Sequence, residues 1–203
     1  SARAAMSAGV IPPILPLTNM SYQNCVRSMV NDLLSFKRVA MSLGLCDQYK
    51  KKWDECTDKR QLMDLALDSN GVDFIADSIA FGWGLGVDFF NRHFADYING
   101  KYKRDSGPHG YSSEMLVGLE GMYYLYSTIT LVAGCKCLNI VVPPSSYGRV
   151  YVCGGSEVHL SVFGACEVYV YGDDSHVGIT NHCRGAIKYT KTHIPSSRWN
   201  NRK

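Results

Sequence analysis

The stretch FGWGLGVD, residues 81–88, is the part of this sequence that is best suited to hold a charged ligand. Glycine lets a backbone approach a phosphate closely, and Asp88 could open a helix. Basic side chains follow, and with the tryptophan they form a candidate anion site of Trp83, Arg92, His93, Lys101, Lys103 and Arg104. Neither G-x-G-x-x-G after a strand nor G-K-[ST] occurs. A tight loop between helices, with Trp83 packed in the core, is the favoured interpretation.

Two pairs of aspartates lie four residues apart, Asp64 with Asp68 and Asp73 with Asp77. On a helix each pair shares one face and could bind a metal or move a proton. No histidine or glutamate lies at matching spacing, so surface or capping roles are favoured. We therefore predict no metal site and no cofactor.

The eight cysteines and six histidines form no recognisable ligand motif. No C-x-x-C occurs, and the CKC at 135–137 is too closely spaced for paired zinc ligands. Cys183 could form a nucleophilic pair with His159 or His193, although no residue is evident that would orient such a pair. We predict reduced thiols, most of them in the core, and favour a protein without catalytic activity over an enzyme; whether a Cys–His pair is reactive stays open.

The elements that must position these residues change in type along the chain. Residues 21–105 carry apolar side chains at helical spacing, broken by short loops, which predicts a compact helical bundle. From residue 115 the chain is rich in β-branched and aromatic residues punctuated by Gly and Pro, which predicts strands. The fold class is therefore α+β.

The second half contains a repeat in which a small residue precedes two alternating aliphatic residues. Its four clear copies begin at Gly148, Ser156, Cys166 and Ser175, which are 8, 10 and 9 residues apart. Nine or ten residues make one strand and one turn, which fits a meander of hairpins or a β-solenoid with two strands per coil. The solenoid is favoured because its stacking places Arg149 by Glu167, Glu157 by His176 and Tyr151 by Tyr169.

Strict alternation along the strands directs some large side chains away from the interior of the repeat. Tyrosine on a rigid surface offers a large contact area at low entropic cost, which suits a binding face. The preference of sheets for tyrosine would explain the same pattern equally well. The candidate binding residues are Tyr151, His159, Tyr169 and Tyr171.

Five segments follow from this organisation. Residues 1–19 would be an arm, a tag or a processed leader, and 20–105 a helical domain. Residues 106–137 would connect the halves and supply the first strands, 138–190 would be the repeat domain, and 191–203 a basic tail. No apolar run is long enough to cross a membrane. The net charge of +3 is small, so nucleic acid is an unlikely partner, although the tail could contact it.

The run QLMDLALDSNGVDFIADSIAFGWGLG, the link YINGKY, and GCKCLNIVVP followed by SEVHLSV and CEVYVYGDDS resemble uncharacterised phage- or prophage-encoded proteins of gut anaerobes. The resemblance covers most of residues 45–190. It implies a helical head joined to a β-repeat and viral provenance, and it supplies no catalytic residues.

The function expected from these observations is binding or assembly without catalysis, associated with a phage. The β-repeat would drive self-association into a homo-oligomer or contact another protein, in the host cytosol or the virion. The alternative is a small intracellular effector, a host-defence antagonist or an enzyme, that binds a nucleotide-like anion in the helical half.

Overall fold

A computed structural model describes residues 17–106 and 110–193, and within them five helices precede ten strands. The α+β prediction is confirmed. Segments 1–16 and 194–203, with most of the predicted arm and basic tail, lie outside the described residues. The helices are α1 (Leu17–Ser42), α2 (Asp47–Asp54), α3 (Lys59–Ala66), α4 (Ser69–Phe81) and α5 (Val87–His93). The strands are β1 (Arg104–Asp105), β2 (Ser112–Val117), β3 (Gly121–Tyr124), β4 (Ile129–Ala133), β5 (Leu138–Val142), β6 (Tyr147–Cys153), β7 (Glu157–Val162), β8 (Ala165–Tyr171), β9 (His176–Asn181) and β10 (Ile187–Thr192).

Local sequence signals explain where the short helices begin and end. Asp58 caps α3 by accepting a hydrogen bond from the Gln61 amide. Asp68 caps α4 through the Asn70 amide, and Gly82 ends that helix in the left-handed region with φ of 67°. No helix in the described segments is both long and apolar enough to cross a membrane.

The strands separate by alternation into two sheets. The first sheet has the order β1-β2-β4-β6-β8-β10, and the second has the order β3-β5-β7-β9. From β2 onward every pairing is parallel, whereas β1 is antiparallel to β2. The strands therefore build a β-solenoid of about four turns, and its parallel ladder begins at β2, inside the segment predicted to supply the first strands.

The registers confirm the stacking predicted from the outward residues. Arg149 lies beside Glu167, Tyr151 beside Tyr169, and Glu157 beside His176. Between the sheets, aliphatic side chains stack into columns such as Ile140, Leu160 and Ile179. Opposite charges and stacked rings on neighbouring strands stabilise this register.

Small residues begin each copy of the repeat because the coil leaves them little space or requires their hydroxyl group. The fully buried Ser156 donates to the Cys153 carbonyl at 2.6 Å and accepts from the Cys135 amide at 3.1 Å. Ser175, which precedes β9, accepts from the Gly155 amide. At Gly148 an added Cβ would lie 2.3 Å from Leu125 Cδ2. The two serine hydroxyl groups therefore provide hydrogen-bond partners for backbone groups of the turns inside the solenoid.

The helices cover the outer face of the first sheet, where α4 packs against β4, β6 and β8. The outer face of β4 presents Ile129, Leu131 and Ala133, all almost fully buried in one core with α4 residues such as Ile75. A sheet face this apolar must be covered by another layer.

A hydrogen bond across this interface provides a test of the packing. The Tyr171 hydroxyl donates to Asp73 Oδ1 at 2.9 Å, joining β8 to α4. We expect Tyr171→Phe to lower the free energy of unfolding by about 1–2 kcal/mol, measured by urea denaturation, because a partly buried acceptor loses its donor. Tyr124→Phe removes a hydroxyl group from an exposed side chain and should change it by less than about 0.5 kcal/mol. Equal effects of the two variants would contradict this role of Tyr171.

Candidate interaction surfaces

The four predicted binding residues do not share one exposed face. Tyr151 and Tyr171 are 6% and 8% exposed, and Tyr169 is half-buried, because the helices cover this part of the first sheet. The Tyr151 ring stacks on that of Tyr169 with centroids 4.9 Å apart. His159 lies on the second sheet and is exposed. The prediction of a single exposed ladder is wrong, and these tyrosines form part of the contact between helices and solenoid.

A signal for this contact was present in the sequence. Four of the five residues of the β4 segment ITLVA are apolar, with Thr130 as the exception, as expected for a strand buried on both faces. Alternation within β6 and β8 alone shows that Tyr151 and Tyr169 point outward, but only the adjacent strand β4 shows that this outer face is apolar. Since parallel neighbours in register share a face, the apolar outer face of β4 implies that Tyr151 is covered.

The candidate anion site is divided between separate environments. Trp83 stacks on Phe36 with centroids 5.4 Å apart and donates from Nε1 to Asp77 Oδ2 at 2.9 Å, so its ring packs against the helical core and is partly buried. Trp83 and Arg92 line a polar groove of about 420 Å³. Asp32 and Asp88 line the same groove, and their negative charges oppose an anionic ligand.

The other four members of that predicted site lie elsewhere. His93 is buried, and burial beside Arg92 lowers its pKa, which favours the neutral ring over a cation. Lys101 Nζ donates to the Ala95 carbonyl at 2.9 Å, and Lys103 Nζ donates to the Tyr126 carbonyl at 3.0 Å. Arg104 Nη2 is 3.4 Å from Asp68 Oδ2. These six residues do not converge on one anion.

The paired aspartates bind neighbouring side chains of the protein. Asp68 accepts hydrogen bonds from Tyr49 and Arg104, and Asp64 accepts from Tyr102, beside a cleft of about 270 Å³. Burial and the Asp68 carboxylate raise the pKa of Tyr49, so its phenol remains a donor. In the segments that the structure describes, no three His, Cys, Asp or Glu residues are placed to hold a metal ion.

The structure does not pair Cys183 with His159 or His193. Cys135 and Cys153 are fully buried, and desolvation raises the pKa of both thiols. Cys183 donates to the Gly164 carbonyl at 3.4 Å, whereas His159 contacts Thr180 and His193 contacts Asp173. Neither histidine considered as a partner for Cys183 bonds to it.

The outer face of the second sheet is open to solvent. Asn139, His159 and Gly178 form one row across neighbouring strands and line a shallow groove of about 520 Å³ with Glu157 and His176. His159 leans across Gly178, where a Cβ would lie 3.0 Å from its Nδ1, and its Nε2 is 3.0 Å from Thr180 Oγ1. Thr180 therefore occupies Nε2 of the His159 ring, and the exposed Met122 of β3 lies in the same row, beside Asn139.

The C-terminal end of the solenoid has the most incomplete packing in the described ladder. The first sheet has β10 beyond β8, whereas the second sheet ends at β9, so the end forms a step. Two columns of inward side chains reach this end. In them Val158 and Leu160 of β7 are 5% and 0% exposed, whereas Val177 and Ile179 of β9, the last strand of this sheet, are half-buried. Tyr189 on β10 is 47% exposed. The interior of the coil is therefore open at this step.

The opposite end differs, because one of its sheet edges is covered. The antiparallel β1 pairs with the start of β2, and Asn99 continues that cover. The Asn99 side chain accepts from the Val117 amide at 2.7 Å and donates to its carbonyl at 3.0 Å, as a neighbouring strand would. The first edge of the first sheet is therefore covered along β2.

No protein-family model matches this chain, and comparison with curated proteins and with solved structures gives no match either. The resemblance to phage-encoded proteins stays a prediction.

Proposed function

We propose that this chain is a non-enzymatic assembly protein whose solenoid self-associates through the step formed by β9 and β10. The observation that carries the proposal is that the interior of the coil is open at the step, with half-buried Val177 and Ile179 and an exposed Tyr189. Covering an aliphatic side chain fully is worth roughly 1.5–3 kcal/mol. A second copy of this chain is the occupant that we infer.

The shape of the step is complementary to itself. We infer that each coil contributes one strand to each sheet, and that the helices form a bundle on the first sheet. Consecutive strands then run in opposite directions. A two-fold axis parallel to the strands places β10 of each copy in the empty position beside β9 of the other. Both pairings are antiparallel, and the contact closes the open edges in a dimer that does not extend further.

The chemistry of the two strands suits this arrangement. The outward residues of β9 are His176, Gly178 and Thr180, so the lysines of β10 meet no lysine on β9. On β10, Lys191 is in register with the inward-facing Val170 and lies near the strand end, where its long stem can carry the ammonium group to water. An inward-facing lysine also opposes indiscriminate pairing of an edge strand, which favours one specific contact over aggregation.

A charge placed inside the step should prevent the association. We expect wild-type protein to be a dimer by light scattering coupled to gel filtration, and Ile179→Lys to raise the dissociation constant at least roughly hundredfold, about 2.7 kcal/mol, because burying an unpaired ammonium is costly. Asn139→Lys adds the same charge to the exposed face of β5 and should dimerise like wild type. Amide hydrogen exchange should show protected β9 and β10 in the dimer and loss of that protection in Ile179→Lys, with β5 unchanged.

Other occupants of the step give distinct results. A chain lacking residues 194–203 should dimerise as the full chain does. If the full chain is a monomer and the shortened chain is a dimer, the tail occupies the step and the proposal is wrong. A full chain that is monomeric at every concentration, with β9 and β10 unprotected, would also overturn it.

The alternative, an effector that binds a nucleotide-like anion, has less support. Trp83 and Arg92 share a groove with two carboxylates, and Lys101, Lys103 and Arg104 are engaged elsewhere.

A further inference from the structure

Buried oxygen atoms that lack a hydrogen-bond partner are concentrated at the beginning of the solenoid. In the described part of the chain, such atoms include Ser113 Oγ and Glu114 Oε1 of β2, Ser127 Oγ before β4, and Thr130 Oγ1 within β4. Native proteins rarely leave buried polar atoms unsatisfied, and an ordered water is a frequent partner. Two of these atoms lie together on the inner face of the coil.

Glu114 and Thr130 are in register on adjacent parallel strands, and they are 3% and 0% exposed. The Glu114 carboxylate is satisfied at one oxygen, since Oε2 accepts from the Tyr123 hydroxyl at 2.5 Å. That bond joins β2 of the first sheet to β3 of the second. Burial and the adjacent carboxylate raise the pKa of Tyr123, which keeps the phenol protonated as the donor. Oε1 has no hydrogen-bond partner, and neither has Oγ1 of Thr130, the residue in register with Glu114.

The residues around this pair are apolar. In the column that contains Glu114 and Thr130, the next strands contribute Val150 and Val168, both fully buried. Threonine therefore replaces its isostere valine next to the glutamate. A hydroxyl group at this position is favourable if it helps to provide a hydrogen bond for the carboxylate oxygen of Glu114 that has none.

We propose that the first coil binds one internal water molecule between Glu114 and Thr130. The Thr130 hydroxyl donates to the water, and the water donates to Glu114 Oε1. Neighbouring strands are about 4.8 Å apart, and a water with hydrogen bonds of about 2.8 Å spans groups at that separation. The bound water completes the polar link from β4 through Glu114 to Tyr123, and it holds the first coil together independently of any self-association.

The sign of one stability change tests this site. Thr130→Val keeps the shape and removes the donor, so we expect a melting temperature about 2–4 °C lower than that of wild type, because the water loses a partner beside a buried carboxylate. Tyr124→Phe also removes one hydroxyl group, at an exposed position of β3 away from the step, and should leave the melting temperature within about 1 °C. If Thr130→Val is equally stable or more stable, the wild-type site is dry and the proposal fails.

A crystal structure of the full chain, at a resolution that shows ordered water, identifies the occupant. We expect one density peak within about 2.6–3.2 Å of both Glu114 Oε1 and Thr130 Oγ1, and its loss in Thr130→Val. A direct bond between the two side chains would overturn the proposal. A peak with four or more oxygen contacts below about 2.5 Å would also overturn it, because such a peak is a cation.

Discussion

Leu160→Ala is expected to destabilise the protein by about 2–5 kcal/mol, because it opens a cavity at the centre of the solenoid. Leu160 is fully buried in β7, in register with Ile140 on one side and Ile179 on the other. Parallel coils stacked in register have little freedom to close such a gap. The measurement is urea denaturation, with the midpoint compared at constant m-value.

The adjacent residue provides the matched control for this variant. His159 lies on the same strand with its side chain exposed on the outer face, so His159→Ala should cost less than about 1 kcal/mol. A Leu160→Ala effect no larger than that of His159→Ala would contradict the inward orientation of Leu160 and the register of β5, β7 and β9.

Gly71→Ala should destabilise the protein by about 3 kcal/mol or more, because the first turn of α4 lies against the end of α3. A Cβ at this position would lie 2.3 Å from the Leu65 carbonyl oxygen and 2.7 Å from that of Ala66. Both are backbone atoms, which cannot move aside as a flexible side chain can, so α4 itself must move. Since α4 also covers the first sheet, we expect amide hydrogen exchange to show weaker protection in α4 and β6 together.

Gly86→Ala is the control for the glycine substitution. Gly86 precedes α5 with φ of −111°, and an added Cβ there meets no atom within 4 Å. We expect a cost below about 1 kcal/mol, the difference between glycine and alanine at a helix cap. If Gly86→Ala and Gly71→Ala lowered the free energy of unfolding by similar amounts, the contact between α3 and α4 would be looser than the structure shows.

Much of the fold could be predicted because its signals are local. The alternation of small and aliphatic residues from Gly148 to Ile179 recurs often enough to identify strands joined by tight turns. The pairing of Arg149 with Glu167 then indicated which strands are neighbours. In the structure Asp68 caps α4 and Gly82 ends it, and these are local effects of the same kind. Each of these signals depends on residues a few positions apart, so no knowledge of distant contacts was needed.

The candidate sites could not be predicted in the same way, because exposure depends on which elements pack together. Tyr151 and Tyr171 alternate as outward residues should, yet α4 covers the sheet face to which they belong. Lys103 and Arg104 are sequence neighbours, but they bind groups on different parts of the chain, the Tyr126 carbonyl and Asp68. A short run of basic residues in the sequence does not show whether each charged group already has a hydrogen-bond or ion-pair partner in the folded protein.

The sequence by itself determined the change from helices to strands, the repeat and the direction of each side chain relative to its own strand, because backbone geometry and alternation decide these locally. Tertiary structure alone decided which outward face is covered, which carboxylates are occupied, and that the coil ends in a step at β9 and β10. These depend on contacts between residues as far apart as Asp73 and Tyr171, and their free energy comes from surfaces that meet only in the folded chain.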